Sequence, residues 1–159
     1  MDDLRGKRVL VFGLGLLGGG VATTNWLLKH GATVTVTDLK TKEQLTPSLK
    51  KIKGKARLAL GGHSDKLIRD NDIIVVNPDV PAANPYVRLA FRLGKTVTNE
   101  TMLFYDRWPK LLIGVTGTRG KTTTTHWVSH FLNNRLPAGR QDMRSTPVGN
   151  SADHPFLKI

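Results

Sequence analysis

The chain has 159 residues, 39% of them hydrophobic, which is enough for the core of one domain or slightly more. It contains no cysteine, which excludes disulfides, thiolate metal ligands and a cysteine nucleophile, and no apolar run approaches the ~18 residues of a membrane span. The N-terminus lacks the basic-then-apolar layout of a signal peptide, so we expect a cytoplasmic protein without a membrane partner.

The formal net charge is +12, which by itself suggests a polyanionic partner. The densest basic cluster, Lys50, Lys51, Lys53, Lys55 and Arg57, contains no aromatic residue of the kind that stacks on bases. We therefore interpret this cluster as a solvated face and expect no nucleic acid among the partners. A phosphorylated small-molecule substrate would also benefit from a basic cleft, and a nucleic-acid-binding module stays an alternative.

The N-terminal segment predicts a βαβ unit. A buried strand is expected at 7–12, a helix from Leu17 to Leu28, and a β-branched strand at 33–37 that ends at Asp38. The intervening loop, Gly13 to Gly18, has the pattern G-x-G-x-x-G, and Asp38 lies twenty positions after its last glycine. Such a loop lets the backbone approach a nucleotide closely, and the acid can accept from a ribose or base group. Alternatively, the glycines serve only close helix–strand packing.

Strands and helices continue to alternate beyond this unit. Strands are expected at 57–60, 73–77 and 96–98, and helices at 86–93 and 100–108. This alternation predicts an α/β fold, with a Rossmann-like, mostly parallel sheet covered by helices on both faces. We assign this domain to residues 1–108 and expect it to bind the substrate.

A second phosphate-type loop follows at Gly117-Thr118-Arg119-Gly120-Lys121-Thr122-Thr123. It comes after the apolar run 111–115, which predicts a strand, and it opens a segment with helical spacing. Backbone N–H groups and the helix's positive end would face a triphosphate, Lys121 would reach its terminal phosphates, and Thr122 could ligate Mg²⁺. The full Walker pattern requires glycine at position 115, where this chain has Val115, so the match is partial. A glycine turn that carries a lysine by chance is the alternative.

The alternation of predicted strands and helices ends near the C-terminus. Residues 133–141 are polar with proline and glycine, which predicts a loop, and no further strands follow before Ile159. We therefore expect 109–159 to be the start of a P-loop ATPase domain that is cut off early. His126 and His130 have the i, i+4 spacing of a zinc pair, but no third ligand is evident, so we interpret them as surface or packing histidines.

Several motifs, in their order and spacing, make the chain resemble the Mur ligase family of peptidoglycan synthesis. These motifs are the first glycine loop, Val36-Thr37-Asp38, Asn77-Pro78-Asp79-Val80, Asn99 to Phe104, Gly114 to Thr124, and Val148-Gly149-Asn150. The Gly-Leu-Gly-Leu sequence favours the branch that adds D-glutamate, while the L-alanine-adding and tripeptide-recycling branches stay open. The rival from another class is a NAD- or FAD-binding oxidoreductase or sensor domain, which does not normally continue into the second loop.

The resemblance implies ATP-dependent amide-bond formation on UDP-N-acetylmuramoyl-L-alanine, with D-glutamate as the incoming amine, ATP and Mg²⁺ as cofactors, and a monomeric enzyme. The implied residues for the UDP-linked substrate are Gly15, Leu16, Leu17, Asp38, Leu39, Lys40 and Asn150. Those implied for ATP are Gly117, Thr118, Arg119, Gly120, Lys121, Thr122 and Thr123, with Lys121 catalytic and Thr122 on Mg²⁺. The family's other magnesium ligands, its carbamylated lysine and its amino-acid-binding domain match nothing here, and Arg119 stands where asparagine is frequent. We therefore expect this chain to be inactive alone.

Overall fold

The computed structural model describes residues 4–106 and 113–135. The strands are β1 (Arg8–Phe12), β2 (Thr33–Asp38), β3 (Arg57–Leu60), β4 (Ile73–Val76) and β5 (Thr96–Thr98). The helices are α1 (Gly19–Lys29), α2 (Thr46–Leu49), α3 (Asp65–Arg69), α4 (Pro85–Arg92), α5 (Glu100–Tyr105) and α6 (Lys121–Arg135). None of the helices in these ranges is long and apolar enough to cross a bilayer.

The five strands form one sheet in the order β3-β2-β1-β4-β5, and every neighbouring pair is parallel. The central strand, β1, pairs through Val9 with Val34 on one side and with Ile73 on the other. The chain moves outward from β1 to β3 and then crosses back to β4. In open parallel sheets, the crevice beyond the strands' carboxyl ends at this reversal is where ligands bind.

Alternate residues of β1 face two separate layers of helices. Val9 and Val11 pack into one buried cluster with Leu27 of α1, whereas Leu10 and Phe12 pack into another together with side chains of α3 and α4. A strand buried on both faces must be apolar at every position, as this one is from Val9 onward. The α/β fold with helices on both faces of a parallel sheet is therefore confirmed for residues 4–106.

Two short helices were not expected from the sequence. Helix α2 has four residues and α3 has five, too few for a 3.6-residue apolar repeat to stand out. Helix α2 connects β2 to β3 and helix α3 connects β3 to β4, and each contributes one buried residue, Ser48 and Ile68 respectively. Their positions depend on the sheet that they cover rather than on their own periodicity.

Two expectations for the second segment were wrong where the structure describes them. Ile113–Val115 form no strand, because a strand needs a partner for its backbone groups and no described strand lies beside them; residues 111–112 lie outside the described ranges. Helix α6 continues through Asn133–Arg135, where a loop was expected. Polar residues alone do not end a helix, and the first strong breaker, Pro137, comes two residues later. Residues 136–141 and Asn150 also lie outside the described ranges.

Candidate functional site

The first glycine loop, residues 13–18, joins β1 to α1 at the carboxyl edge of the sheet. The Gly13 N–H donates to the Thr37 carbonyl at 2.8 Å, and Asn77 Nδ2 donates to the Gly13 carbonyl at 3.2 Å. The loop is thus tied to the ends of both strands that flank β1. Gly15 and Gly18 have φ values of 65° and 97°, a left-handed conformation that glycine adopts without steric cost.

The amino end of α1 lies directly against the loop because Gly20 has no side chain. A Cβ built on Gly20 would overlap the backbone of Leu14. The N-cap residue, Gly18, provides no side-chain hydrogen bond to the helix. The first N–H groups of α1 therefore keep their partial positive charge available for an anion.

Asp38, at the end of β2, holds the loop in place. Its side chain is 5% exposed. Its Oδ2 accepts from the Gly15 N–H at 3.0 Å, and its Oδ1 accepts from the Lys40 N–H at 2.9 Å. The observed contacts of this carboxylate are thus with the backbone of the site itself. Its role as acceptor for a ribose or base group stays a prediction, which the second lone pair of each oxygen would permit.

Three exposed leucines lie in the glycine loop and in the turn after β2. Leu16, Leu17 and Leu39 are 51%, 90% and 71% exposed, and Lys40 is exposed beside them. The hydrogen bonds of Asp38 bring the glycine loop and the turn after β2 together, so these side chains belong to one edge of the sheet. Exposed apolar side chains at the same edge as a cationic side chain suit a ligand with a flat ring and negative charges.

Two residues that support this edge were missed in the sequence. Ser48 of α2 is 3% exposed and donates its hydroxyl to the Gly15 carbonyl at 2.8 Å. His63, after β3, has its Nδ1 2.9 Å from Thr37 Oγ1, and its ring stacks on Phe12 with centroids 4.0 Å apart. Burial lowers the pKa of His63, and the negative charge of Asp38 offsets only part of this shift. The glycine pair before His63 was a signal for a turn at this edge.

A third missed residue is Glu100, the first of α5, which lies behind the glycine loop. Its side chain is 7% exposed, and its buried Oε1 has no hydrogen-bond partner in the described structure. A Cβ built on Gly19 would lie 2.8 Å from Glu100 Oε2. Burial raises the pKa of this carboxyl. Residues of β1, the loop, α1 and β4 line a small, partly open cavity of about 10 Å³ beside it, room for about one water.

The second loop, residues 117–123, precedes and opens α6. Lys121, the first residue of α6, donates from Nζ to the Gly117 carbonyl at 2.7 Å, and the Thr124 N–H donates to the Gly120 carbonyl at 2.9 Å. All seven residues from Gly117 to Thr123 are exposed. The structure therefore brings the predicted ATP residues together on one turn at a helix amino end, open to solvent.

The strand order, the loop after β1 and the crevice at the carboxyl edge together define a Rossmann-type α/β unit. Residues 7–99 match the family described as Mur ligase MurD-like, N-terminal domain. This match covers more than half of the chain, and the chain therefore belongs to the MurD-like Mur ligases.

Individual relatives agree with the family match. The chain is 42% identical over 136 residues to UDP-N-acetylmuramoylalanine–D-glutamate ligase of Roseiflexus sp. (strain RS-1), covering 85% of this chain and 29% of that protein. It is 37% identical over 140 residues to the ligase of the same name from Borreliella afzelii (strain PKo), covering 86% and 30%. A solved pseudomurein peptide ligase type C from Methanothermus fervidus superposes with a TM-score of 0.50 and 26% identity, covering 80% of this chain and 26% of that one. The chain thus spans less than a third of the length of these relatives.

Proposed function

We propose that this chain is part of a ligase that adds D-glutamate to UDP-N-acetylmuramoyl-L-alanine. In this proposal, residues 1–108 form the domain that binds the UDP-linked substrate, and 109–159 form the start of the ATP-binding domain. The observation that carries the proposal is the glycine loop fixed by Asp38 at the sheet's carboxyl edge, surrounded by exposed leucines. The curated relatives named above, which bear the name of this ligase, support the choice of substrate.

The first site suits the two halves of a uridine diphosphate. The diphosphate would lie at the uncapped amino end of α1, where N–H groups and the helix dipole favour negative charge. The uracil ring would lie against Leu17 and Leu39, and the Lys40 ammonium would add positive charge near the phosphates. Gly15 and Leu16 would shape the loop around the ligand, and Asn150 would contact the sugar acid near its reacting end.

The second site suits ATP. The N–H groups of the loop 117–123 would surround the phosphates, and Lys121 would leave the Gly117 carbonyl to contact the β- and γ-phosphates. Mg²⁺ would be held by the Thr122 hydroxyl together with phosphate oxygens, a hard oxygen set of the kind this ion prefers, and would supply charge neutralisation during phosphoryl transfer.

Exposed apolar surface on α6 agrees with a domain larger than the described segment. Trp127 and Phe131 are 57% and 56% exposed on a helix of fifteen residues. A helix that follows a phosphate loop normally packs on the sheet that carries the loop. We propose that the remainder of the ATP-binding domain covers these rings.

The proposed reaction, which belongs to the whole ligase, activates a carboxylate that is otherwise a poor electrophile. A carboxylate oxygen of the UDP-linked substrate attacks the γ-phosphorus of ATP, and ADP leaves. The amine of D-glutamate then attacks the acyl phosphate carbon and loses a proton, and the tetrahedral intermediate collapses to the amide as phosphate leaves. In this scheme, Lys121 stabilises charge on the transferred phosphoryl group, and the first domain positions the substrate.

Calorimetry on the 159-residue chain tests the first site. We expect binding of UDP-N-acetylmuramoyl-L-alanine and none of NADH. Leu17→Ser should weaken that binding, and the matched change Phe91→Ser, at a 62% exposed residue of α4, should not. Binding of NADH alone would favour an oxidoreductase or sensor domain instead. Equal affinity for UDP-N-acetylmuramate with and without L-alanine would remove the support for the D-glutamate-adding branch.

A further inference from the structure

The amino end of α1 and the carboxyl of Glu100 occupy the same small volume. The helix begins at Gly19 with no side-chain cap, and Glu100 Oε2 lies where a Cβ of Gly19 would be crowded. Glu100 Oε1 is buried beside the water-sized cavity with no partner in the described structure. A buried polar group without a partner is costly and points to a ligand or water that completes it.

The protonation state of Glu100 decides what this end of α1 can accept. An ionised carboxylate next to Gly19 would itself interact with the partial positive charge at the amino end of α1. It would also repel a second anion, and the low dielectric of the surroundings would strengthen that repulsion. A protonated carboxyl removes that repulsion and gains an O–H donor, which can reach a phosphate oxygen directly or through a bridging water. Burial, which disfavours the ionised form, already favours the protonated one.

We propose that the amino end of α1 accepts a phosphate-type dianion together with a proton on Glu100, which makes Glu100 a positioning residue for the diphosphate of the UDP-linked substrate. The nucleotide part of this inference rests on the proposed function. The dianion part rests on the contact between Glu100, Gly19 and the uncapped helix.

No other titratable side chain lines the cavity among the described residues. The elements packed around Glu100 present Val11 and Gly13 from β1 and its loop, Gly20 and Thr23 from α1, and Val75, Val76, Asn77 and Pro78 from β4 and its end. Asp38 and His63 lie elsewhere on the same sheet edge, and each is held by its own hydrogen bonds. The linked proton is therefore assigned to Glu100.

The test is calorimetry with UDP-N-acetylmuramoyl-L-alanine between pH 5 and 8, a range in which the uracil N–H also keeps its proton, in buffers of different ionisation enthalpy. The diphosphate of this ligand is a diester and does not titrate in that range, so proton uptake reports on the protein. Above the pKa of the unliganded Glu100, we expect wild-type affinity to fall by up to about tenfold per pH unit, with uptake approaching one proton. Glu100→Gln should bind the ligand with an affinity that does not change with pH and without proton uptake. Glu43→Gln, the same change at an exposed glutamate, should behave like wild type.

A second arm uses sulfate, another dianion that does not titrate here, and follows the amide resonances of Gly19 and Gly20. Sulfate shifts that weaken with pH in wild type but not in Glu100→Gln would support the proton linkage even if the nucleotide fails to bind, and the proposed function alone would then fall. Nucleotide binding with no proton uptake, and with the same pH profile in wild type and Glu100→Gln, would overturn the inference and leave the proposed function standing. Should Glu100→Gln not fold, nucleotide binding by the wild-type chain without proton uptake would still overturn the inference.

Discussion

The carboxylate of Asp38 accepts the backbone N–H of Gly15 at 3.0 Å, which ties the glycine loop to the end of the neighbouring strand. The same carboxylate holds the Lys40 N–H at 2.9 Å. One buried side chain thus fixes two pieces of backbone that carry most of the proposed uridine diphosphate site. Substitution of Asp38 should therefore affect both the stability of the chain and the proposed site.

Asp38→Ala should destabilise the chain and remove nucleotide binding. It leaves two N–H groups without their charged acceptor, and hydrogen bonds to charged groups contribute roughly 1.5–3 kcal/mol each, so we expect a loss of about 3–6 kcal/mol in the free energy of unfolding. Urea unfolding measures it. Asp79→Asn, at an exposed carboxylate, should change stability by less than about 0.5 kcal/mol. Equal losses in both variants would contradict the role given to Asp38.

Gly20→Ala should be one of the most damaging single-methyl changes in this chain. The added Cβ would overlap the Leu14 backbone, which has no rotamer to move away, so we expect a cost of about 2–3 kcal/mol and a displaced glycine loop. Thermal and urea unfolding report the cost. Gly114→Ala is the control, because among the described residues its Cβ would meet only the Tyr105 hydroxyl at 3.9 Å. A Gly20→Ala chain as stable as wild type would show that the helix end can shift freely.

Leu17→Ser should weaken binding of the UDP-linked substrate without affecting folding. Leu17 is 90% exposed, so its loss should change the free energy of unfolding by less than about 0.5 kcal/mol. Partial burial of a leucine against uracil would contribute about 1 kcal/mol, which corresponds to a roughly fivefold higher Kd. Calorimetry measures the Kd, and an unchanged value would place the ring elsewhere.

Glu100→Gln should gain stability relative to wild type as pH rises. Burial raises the pKa of Glu100 in the folded chain above its ordinary value, so the folded state binds its proton more tightly than the unfolded state. Wild-type stability contributed by this group is therefore complete below the ordinary glutamate pKa and is lost as pH rises through the folded value. Urea unfolding at pH 4 and pH 7 measures the effect. A constant difference between the two proteins at both values would contradict it.

Lys121→Ala should remove ATP binding and leave the fold intact. The Lys121 side chain is exposed and, within the part of the chain that the structure describes, donates to the Gly117 carbonyl, so we expect a stability change below about 0.5 kcal/mol. Loss of the ammonium should raise the Kd for Mg–ATP by at least about tenfold, since a charge-assisted contact to phosphate contributes roughly 1.5–3 kcal/mol. Lys66→Ala, at an exposed lysine of α3, is the control. Unchanged ATP affinity in Lys121→Ala would remove the basis for the second site.

The strands of the first domain could be predicted because their signals are local. The predicted strand at 33–37 differs from β2 by only one residue, since a β-branched run reports its own conformation. Helix α1 could likewise be predicted from the helical spacing of its apolar residues and from the glycine after His30. Helices α2 and α3 were not, because four or five residues carry no period.

The contacts that shape the site were beyond sequence reasoning for a different reason. Ser48 lies 33 positions from the Gly15 carbonyl that it contacts, and nothing in its neighbourhood distinguishes it from a surface serine. Glu100 belongs to a motif that supported the family resemblance, yet its burial depends on how α5 meets α1. The second loop was found by its motif, but its expected strand was not, because a strand exists only when another one pairs with it.

The close approach of Gly20 to Leu14 has a consequence for recognition. With backbone packed on backbone, the turn proposed to face the phosphates has few alternative conformations to lose when a ligand binds. The turn loses its conformational entropy during folding, so ligand binding should cost little additional entropy for ordering it. A ligand's affinity should then follow the contacts it makes, and analogues should rank by their chemistry rather than by their ability to induce a new shape.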